Sequence, residues 1–156
     1  MKKASSEPQP IEHVDTVFLK GLLGYNTRRA TLMIFKVFDQ RVSEFELSPV
    51  DFSVLCLIGR NPNITPSQLS TALDLLPPYL AKILTRFTRR HLIIKVKPEA
   101  DKRAFMLSLS QEGKALLNHL EGVVAQLERD AASLLTDKQL ETLIKHLQKI
   151  YAPEPT

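Results

Sequence analysis

The residues best suited to chemistry in this chain are lysines and arginines concentrated in one short stretch. Between Lys82 and Arg103, eight basic residues stand against two acidic ones, so this window carries a net charge of +6. The whole chain is formally +4, so the remainder is slightly acidic and the basicity is local. A concentrated basic patch of this kind is typical of a surface that binds phosphates.

Residues for catalysis are sparse by comparison. The four histidines are scattered, a single cysteine cannot form a metal-binding pair, and five glycines form no phosphate-binding loop. We therefore predict a protein that is not an enzyme and that uses no cofactor and no metal.

Two short, clearly capped helices precede the basic stretch. Ser48-Pro49-x-Asp51 and Thr65-Pro66-x-Gln68 each combine a capping hydroxyl, a proline in the first turn and an acidic or amide side chain three residues after the cap. A third helix is predicted from Pro77 to Arg90, with an apolar stripe on one side and basic residues on or near the other. Two capped helices followed by a basic one indicate a helix-turn-helix.

A charged β-hairpin is predicted directly after these helices. Residues 93–97 alternate apolar and basic side chains, residues 98–103 form a polar turn, and residues 104–109 return as a second strand. A hairpin in this position makes the whole a winged helix, whose recognition helix enters the major groove of DNA while the wing reaches the backbone or the minor groove.

Long amphipathic helices are predicted on both sides of the winged helix. Residues 15–46 read as one helix with an apolar surface wider than a single face, and residues 111–151 as two helices capped by Ser110 and Thr136. We expect these elements to build a homodimer, with residues 48–109 as the DNA-binding part. The predicted organisation is one mainly α domain over residues 15–151, with tails at 1–14 and 152–156.

No apolar run is long enough to span a bilayer, and the polar start of the chain does not resemble a signal peptide, so we expect a cytoplasmic protein without membrane contact. The single cysteine, Cys56, lies in the apolar run V-L-C-L-I and is interpreted as a core residue, with a redox sensor as the alternative.

The segments L-S-P-V-D-F-S-V-L, T-P-S-Q-L-S-T-A-L, L-T-R-F-T-R-R-H-L-I and L-S-L-S-Q-E-G together resemble the MarR-type winged-helix regulators. The resemblance covers the chain beyond residue 15. Its most specific part is Asp101-x-Arg103 followed by Leu109-Ser110-x-x-Gly113, which is similar to the wing and to the start of the long dimerisation helix in that family.

This resemblance implies roles for particular residues. Arg103 would enter the minor groove, and Asp101 would hold it by a charge-assisted hydrogen bond. The full set of predicted DNA-binding residues is Pro78, Tyr79, Ala81, Lys82, Arg86, Lys95, Lys97, Asp101, Lys102 and Arg103. The chain departs from the family at Pro78 and Tyr79, where Ser and Thr are common, and at His91, where Gly is usual.

The family also implies a small anionic or aromatic effector between the dimer helices and the winged helix. The residues of this chain expected to line that site are Tyr25, Arg28, Arg29, Met33 and Phe52. An arginine suits a carboxylate and the aromatic residues suit a ring, although apolar residues at this spacing are also typical of a core.

We therefore predict a homodimeric, sequence-specific regulator of transcription, acting as a repressor that a small, aromatic effector releases from a pseudo-palindromic operator. Two alternatives stay open from the sequence. One is a DNA-binding regulator that responds to no ligand or to oxidation, and the other is a helical dimeric interaction protein without specific DNA binding.

Overall fold

The computed structural model describes residues 12–96 and 105–151. The elements in chain order are α1 (Val17–Lys20), α2 (Leu23–Val42), a 3₁₀ turn (Ser43–Phe45), α3 (Pro49–Arg60), α4 (Pro66–Leu73), α5 (Pro77–Arg89), β1 (Ile93–Val96), β2 (Met106–Leu109), α6 (Gln111–Ala131) and α7 (Asp137–Tyr151). The chain divides into two compact units, residues up to Met33 and residues from Ile34 onward. The tails predicted at 1–14 and 152–156 lie largely outside the described residues.

The single helix predicted over residues 15–46 is wrong, because the chain leaves the helical path near Gly21. Glycine is a poor helix former, and the amide of Asn26 donates to the carbonyl oxygens of Lys20 (2.8 Å) and Leu22 (2.7 Å). These carbonyls are thereby satisfied by a side chain at the break. The apolar period continues across the break, so the pattern alone does not reveal it.

The predicted helix starts in the second unit are confirmed. The Ser48 hydroxyl accepts from the Asp51 amide (3.2 Å) while the Asp51 carboxylate accepts from the Ser48 amide (2.8 Å). Thr65 and Gln68 make the same reciprocal pair at the start of α4, each helix having proline in its first turn. The side chains of α3, α4, α5, the hairpin and α6 share one core, with Phe38, Val42, Leu47, Val54, Leu55, Ile58, Leu69, Leu80, Ile83, Leu84, Phe87, Leu107, Leu117, Leu120 and Leu127 among its members.

Two strands, β1 and β2, form the predicted antiparallel hairpin, with Ile93 opposite Leu109 and Val96 opposite Met106. A single bridge between Ile64 and Leu107 adds the segment before α4 to the edge of this sheet, the Leu107 amide donating to the Ile64 carbonyl at 2.9 Å. The base of the hairpin is therefore fixed to the helix-turn-helix.

The end of α5 is closed by a left-handed residue, His91, at φ 57°. The His91 amide donates to the Thr88 carbonyl (3.1 Å) and the Leu92 amide to the Phe87 carbonyl (2.9 Å), which is the Schellman pattern. Glycine adopts this conformation without steric cost, whereas a side chain at this position is strained. The departure from the family at His91 therefore leaves the turn unchanged: its backbone is the usual one, made with histidine in place of glycine.

We expect His91→Gly to raise the free energy of unfolding by about 1 kcal/mol, because it removes the left-handed strain and keeps the backbone hydrogen bonds. Chemical denaturation measures this change. His91→Ala is the matched control, since alanine loses the imidazole but keeps the strain. An equal gain in both variants would show that the imidazole, and not the backbone, is responsible.

The junction between β2 and α6 is held against the turn that follows α5. The Ser110 hydroxyl donates to the His91 carbonyl (2.6 Å) and accepts from the Gly113 amide (2.9 Å), while the Ser110 amide donates to the Leu92 carbonyl (3.0 Å). A Cβ atom on Gly113 would lie 2.0 Å from the Leu92 carbonyl oxygen. The spacing Ser110-x-x-Gly113 therefore has a structural reason, and we call this arrangement the Ser110 junction.

Apolar side chains remain exposed on two helical segments. In the described chain, α7 buries no side chain although Leu143, Ile144 and Ile150 share one of its faces. In the first unit, Phe18 and Val17 are each 78% exposed. Several exposed apolar side chains on one segment are typical of a surface that contacts another molecule. None of the helices within residues 12–96 and 105–151 has both the length and the hydropathy that a bilayer crossing needs.

Candidate nucleic-acid interface

Helix α5 places its basic residues on an open surface. Leu80, Ile83, Leu84 and Phe87 are buried, which orients the helix and turns its opposite side outward. One shallow exposed patch on that side consists of Ala81, Lys82, Thr85, Arg86 and Arg89. We call this patch the outer face of α5. It brings together three of the predicted DNA-binding residues, Ala81, Lys82 and Arg86.

The first turn of α5 contributes two more predicted residues, Pro78 and Tyr79, and both are exposed. No carboxylate within residues 12–96 and 105–151 pairs with Lys82 or Arg89, so both charges face outward without a partner in that part of the chain. Exposed cations on a helix whose other side is fixed in a core can approach a phosphate backbone directly.

Arg86 differs from its neighbours because it forms an ion pair with Asp51 at the start of α3. The Asp51 carboxylate is buried and also accepts from the Ser48 amide and hydroxyl, whereas the Arg86 side chain is 48% exposed. The charge of Arg86 is therefore shared with Asp51, and the pair ties α5 to the first turn of α3. Sequence reasoning identified Asp51 only as a helix cap, because a partner 35 residues away leaves no local pattern.

Lys95 extends from the first strand of the hairpin. Its ammonium lies 5.2 Å from the centre of the Phe105 ring, a cation–π contact, and the residue is exposed. The ring supports the lysine at the base of the wing. The other predicted wing residues, Lys97, Asp101, Lys102 and Arg103, lie outside the described residues.

A cavity of about 570 Å³ lies between α4, α5 and β1. Its walls are mostly apolar, with Leu80, Leu84 and Phe105 among them, and Lys95 is the cation among its lining residues. The cavity is large enough for a small aromatic molecule.

The five residues predicted to line an effector site do not contribute to this cavity. Tyr25, Arg28, Arg29 and Met33 lie on the part of α2 that belongs to the first unit, and Tyr25 alone of these four is partly buried. Phe52 lies in the second unit, where its ring packs 6.3 Å from that of Phe38, so it has a core role.

Cys56 has the properties of a packing residue. It is half-buried in α3, and burial raises the pKa of its thiol to about 11, with Glu121 adding to the rise and Arg60 opposing it. A thiol with so high a pKa is almost entirely protonated near neutral pH, whereas oxidation sensing needs the thiolate. Within the described ranges, no three His, Cys, Asp or Glu side chains cluster as a metal site would require.

The chain is similar to known regulators of transcription in both sequence and structure. The model of the MarR family matches residues 47–105. A putative transcriptional regulatory protein for the hcr operon of Thauera aromatica is 25% identical over 97% of this chain and 93% of its own length. The homoprotocatechuate degradative operon repressor of Escherichia coli is 26% identical over 80% of this chain and 82% of its own length.

Among solved structures, the transcriptional repressor CouR bound to a 23-mer DNA duplex superposes with a TM-score of 0.83. It is 30% identical in sequence, and the match covers 89% of this chain and 99% of the CouR chain. The similarity therefore extends well beyond the segment that the family model matches.

Proposed function

The chain belongs to the MarR family, and on that premise we propose that it is a transcription repressor that binds operator DNA as a homodimer in the cytoplasm. The observation that carries this proposal is the outer face of α5: exposed cations on the third helix of a helix-turn-helix whose other side is buried. Its fold and family are those of transcription regulators and not of enzymes.

The apolar surfaces of the first unit and of α7 support the dimer. Each is exposed in one subunit, and a twofold dimer covers the same surface on both copies. Two recognition helices related by such a twofold meet successive major grooves, so we expect half-sites about one helical turn, roughly 10 base pairs, apart. The hairpin then lies beside the backbone, where Arg103 is proposed to enter the minor groove and Asp101 to hold it.

We further propose that a small aromatic carboxylate releases the repressor. The similar Escherichia coli protein represses an operon for degrading homoprotocatechuate, which is an aromatic carboxylic acid. Such a ligand needs a cation beside a flat apolar surface. We propose Arg28 and Arg29, with Tyr25 and Met33 on the same unit, as one such combination, and the cavity next to Lys95 as another.

The decisive experiment is fluorescence anisotropy of the purified protein with the DNA upstream of its own gene and with a scrambled duplex, across a salt series. We expect tighter binding to the upstream DNA and release by an aromatic carboxylate from a panel. Specific binding that no member of the panel reverses would support a ligand-independent regulator. Absence of binding at low salt would reject the DNA function and leave a helical interaction protein.

The two candidate effector sites are separated by measuring the ratio of DNA affinities without and with the active carboxylate. Arg28→Ala is expected to bring this ratio close to one if the ligand binds beside α2, and Lys95→Ala if it binds in the cavity. Both affinities in the ratio are measured on the same variant. Any direct effect of Lys95→Ala on DNA affinity is therefore present in both and cancels.

We expect Lys82→Ala to reduce the slope of log affinity against log salt by about two units for the dimer, because each subunit loses one phosphate contact. Lys36→Ala changes an exposed lysine of α2 that is not part of the outer face of α5, so it is the control and should leave the slope unchanged. An unchanged slope in Lys82→Ala would remove this residue from the phosphate contacts.

Arg103→Ala is expected to weaken operator binding by about tenfold or more while the dimer stays intact, since a minor-groove arginine contributes to affinity but not to folding. Analytical ultracentrifugation tests whether the dimer is intact, and fluorescence anisotropy measures the affinity for the operator. Operator binding equal to that of the original protein would contradict the role proposed for the wing.

A further inference from the structure

The first turn of α5 differs chemically from the basic face behind it. Leu76 is 76% exposed and Tyr79 is 45% exposed, and Pro77, Pro78 and Ala81 are exposed as well. A large apolar group at the leading end of a surface helix needs an explanation, because nothing among the described residues covers it. The turn is directly followed by the cations of the outer face.

From Pro77 to Leu80 the backbone of this turn has no hydrogen-bond donor to spare. Pro77 and Pro78 carry no N–H group, and the amides of Tyr79 and Leu80 both donate to the Leu76 carbonyl, at 3.0 and 3.1 Å. A helix start normally offers free N–H groups to an anion. Here that capacity is used up, so the turn is not built to bind a phosphate.

The first turn itself also has few side-chain donors, and the hydroxyls of Ser67, Ser70 and Thr71 in the neighbouring cavity belong to α4. The Thr85 hydroxyl donates to the Ala81 carbonyl (2.8 Å), and Leu76, as the residue that caps the helix, has no polar side chain. The Tyr79 hydroxyl is therefore the side-chain polar group of the first turn. The surface offered to a base edge is mainly carbon.

We propose that this turn reads the operator by apolar contact with the 5-methyl groups of thymine in the major groove; the inference rests on the proposed function. Thymine is the base that presents a methyl group at this edge, and small apolar side chains are its usual partners. Pro78, Ala81 and Thr85 follow one another at helical steps of three and four residues along one side. Lys82 and Arg89 on the same surface supply the charge that draws the helix to DNA.

The proposal predicts a specificity that depends on a methyl group and on no hydrogen bond. Exchange of thymine for deoxyuridine removes the methyl group alone and keeps both the base pair and the hydrogen-bonding pattern. An operator for this test is obtained by selecting tight binders from a random duplex library with the purified full chain. Each thymine of the selected half-site is then replaced in turn.

We expect one or two thymines of each half-site to respond to the replacement. Replacing one such thymine in one half-site should weaken binding about fourfold, which is the loss for one buried methyl group. The same replacement in both half-sites should weaken binding about 15-fold. Replacement outside the half-sites is the control and should have no effect. Pro78→Ser and Ala81→Gly, both at exposed positions, should reduce this discrimination between thymine and deoxyuridine.

Three results would count against the inference or its premise. If no sequence is enriched by the selection, the proposed function itself fails. If an operator is enriched but deoxyuridine is tolerated at every position, the function stands and the methyl contact is wrong. If deoxyuridine weakens binding equally in the original protein and in both variants, the contact belongs to residues other than Pro78 and Ala81, and the inference is wrong.

Discussion

Replacement of Gly113 by alanine is expected to lower the free energy of unfolding by about 3 kcal/mol, at the upper end of what overpacking costs. The new methyl group would lie 2.0 Å from the Leu92 carbonyl oxygen, far inside the contact distance of carbon and oxygen. That oxygen accepts from the Ser110 amide, so moving it away would also break the Ser110 junction.

Thermal unfolding at fixed protein concentration measures the effect, which corresponds to a fall in Tm of about 9 °C for a chain of this size. Gly122→Ala is the matched control because it lies on the same helix and its added methyl group meets nothing within 4 Å. Alanine should there stabilise the helix by about 0.5–1 kcal/mol. Similar losses in the two variants would show that the close contact at Gly113 has no special importance.

Removal of the Asp51 carboxylate in Asp51→Ala is expected to cost about 2 kcal/mol of folding stability. This buried group accepts from the Ser48 amide, the Ser48 hydroxyl and Arg86. Its loss leaves the first turn of α3 uncapped on one side and releases the arginine that ties α5 to it. Chemical denaturation of the variant provides the measurement.

The matched control for Asp51 is Gln68→Ala, since Gln68 forms the same kind of capping box at the start of α4 but is exposed and has no arginine partner among the described residues. It should cost about 0.5–1 kcal/mol. Combining Asp51→Ala with Arg86→Ala isolates the ion pair, for which we expect a coupling of about 1 kcal/mol. A cost for Asp51→Ala no larger than that for Gln68→Ala would mean that capping alone accounts for Asp51.

Most of the fold could be predicted from residues that lie close together in the sequence. The capping boxes at Ser48, Thr65 and Thr136 all form, Ser110 caps α6, and the recognition helix begins at Pro77 as predicted. These features depend on residues three or four apart, and such spacing is visible in a sequence. The order of two capped helices, a basic helix and a hairpin then restricts the architecture to a winged helix.

Features that depend on distant partners were not visible in the same way. The pairing of Arg86 with Asp51 joins two helices, and the basic pattern of α5 gives no sign that one of its cations is engaged. The break at Gly21 depends on a side-chain amide that competes for backbone carbonyls. The residues predicted for the effector site lie on two units, and their spacing along the chain carries no information on contacts between distant segments.

The Ser110 junction has a mechanical consequence. Because its hydrogen bonds join the start of α6 to the turn after α5, the recognition helix α5, the base of the hairpin and α6 act together as one rigid lever. With 21 residues, α6 is about 30 Å long. Pivoting that lever by about 5° at its far end moves the junction by about 3 Å, close to the roughly 3.4 Å that separates neighbouring base pairs. A tilt of a few degrees is thus enough to displace the recognition helix by nearly the spacing of one base pair.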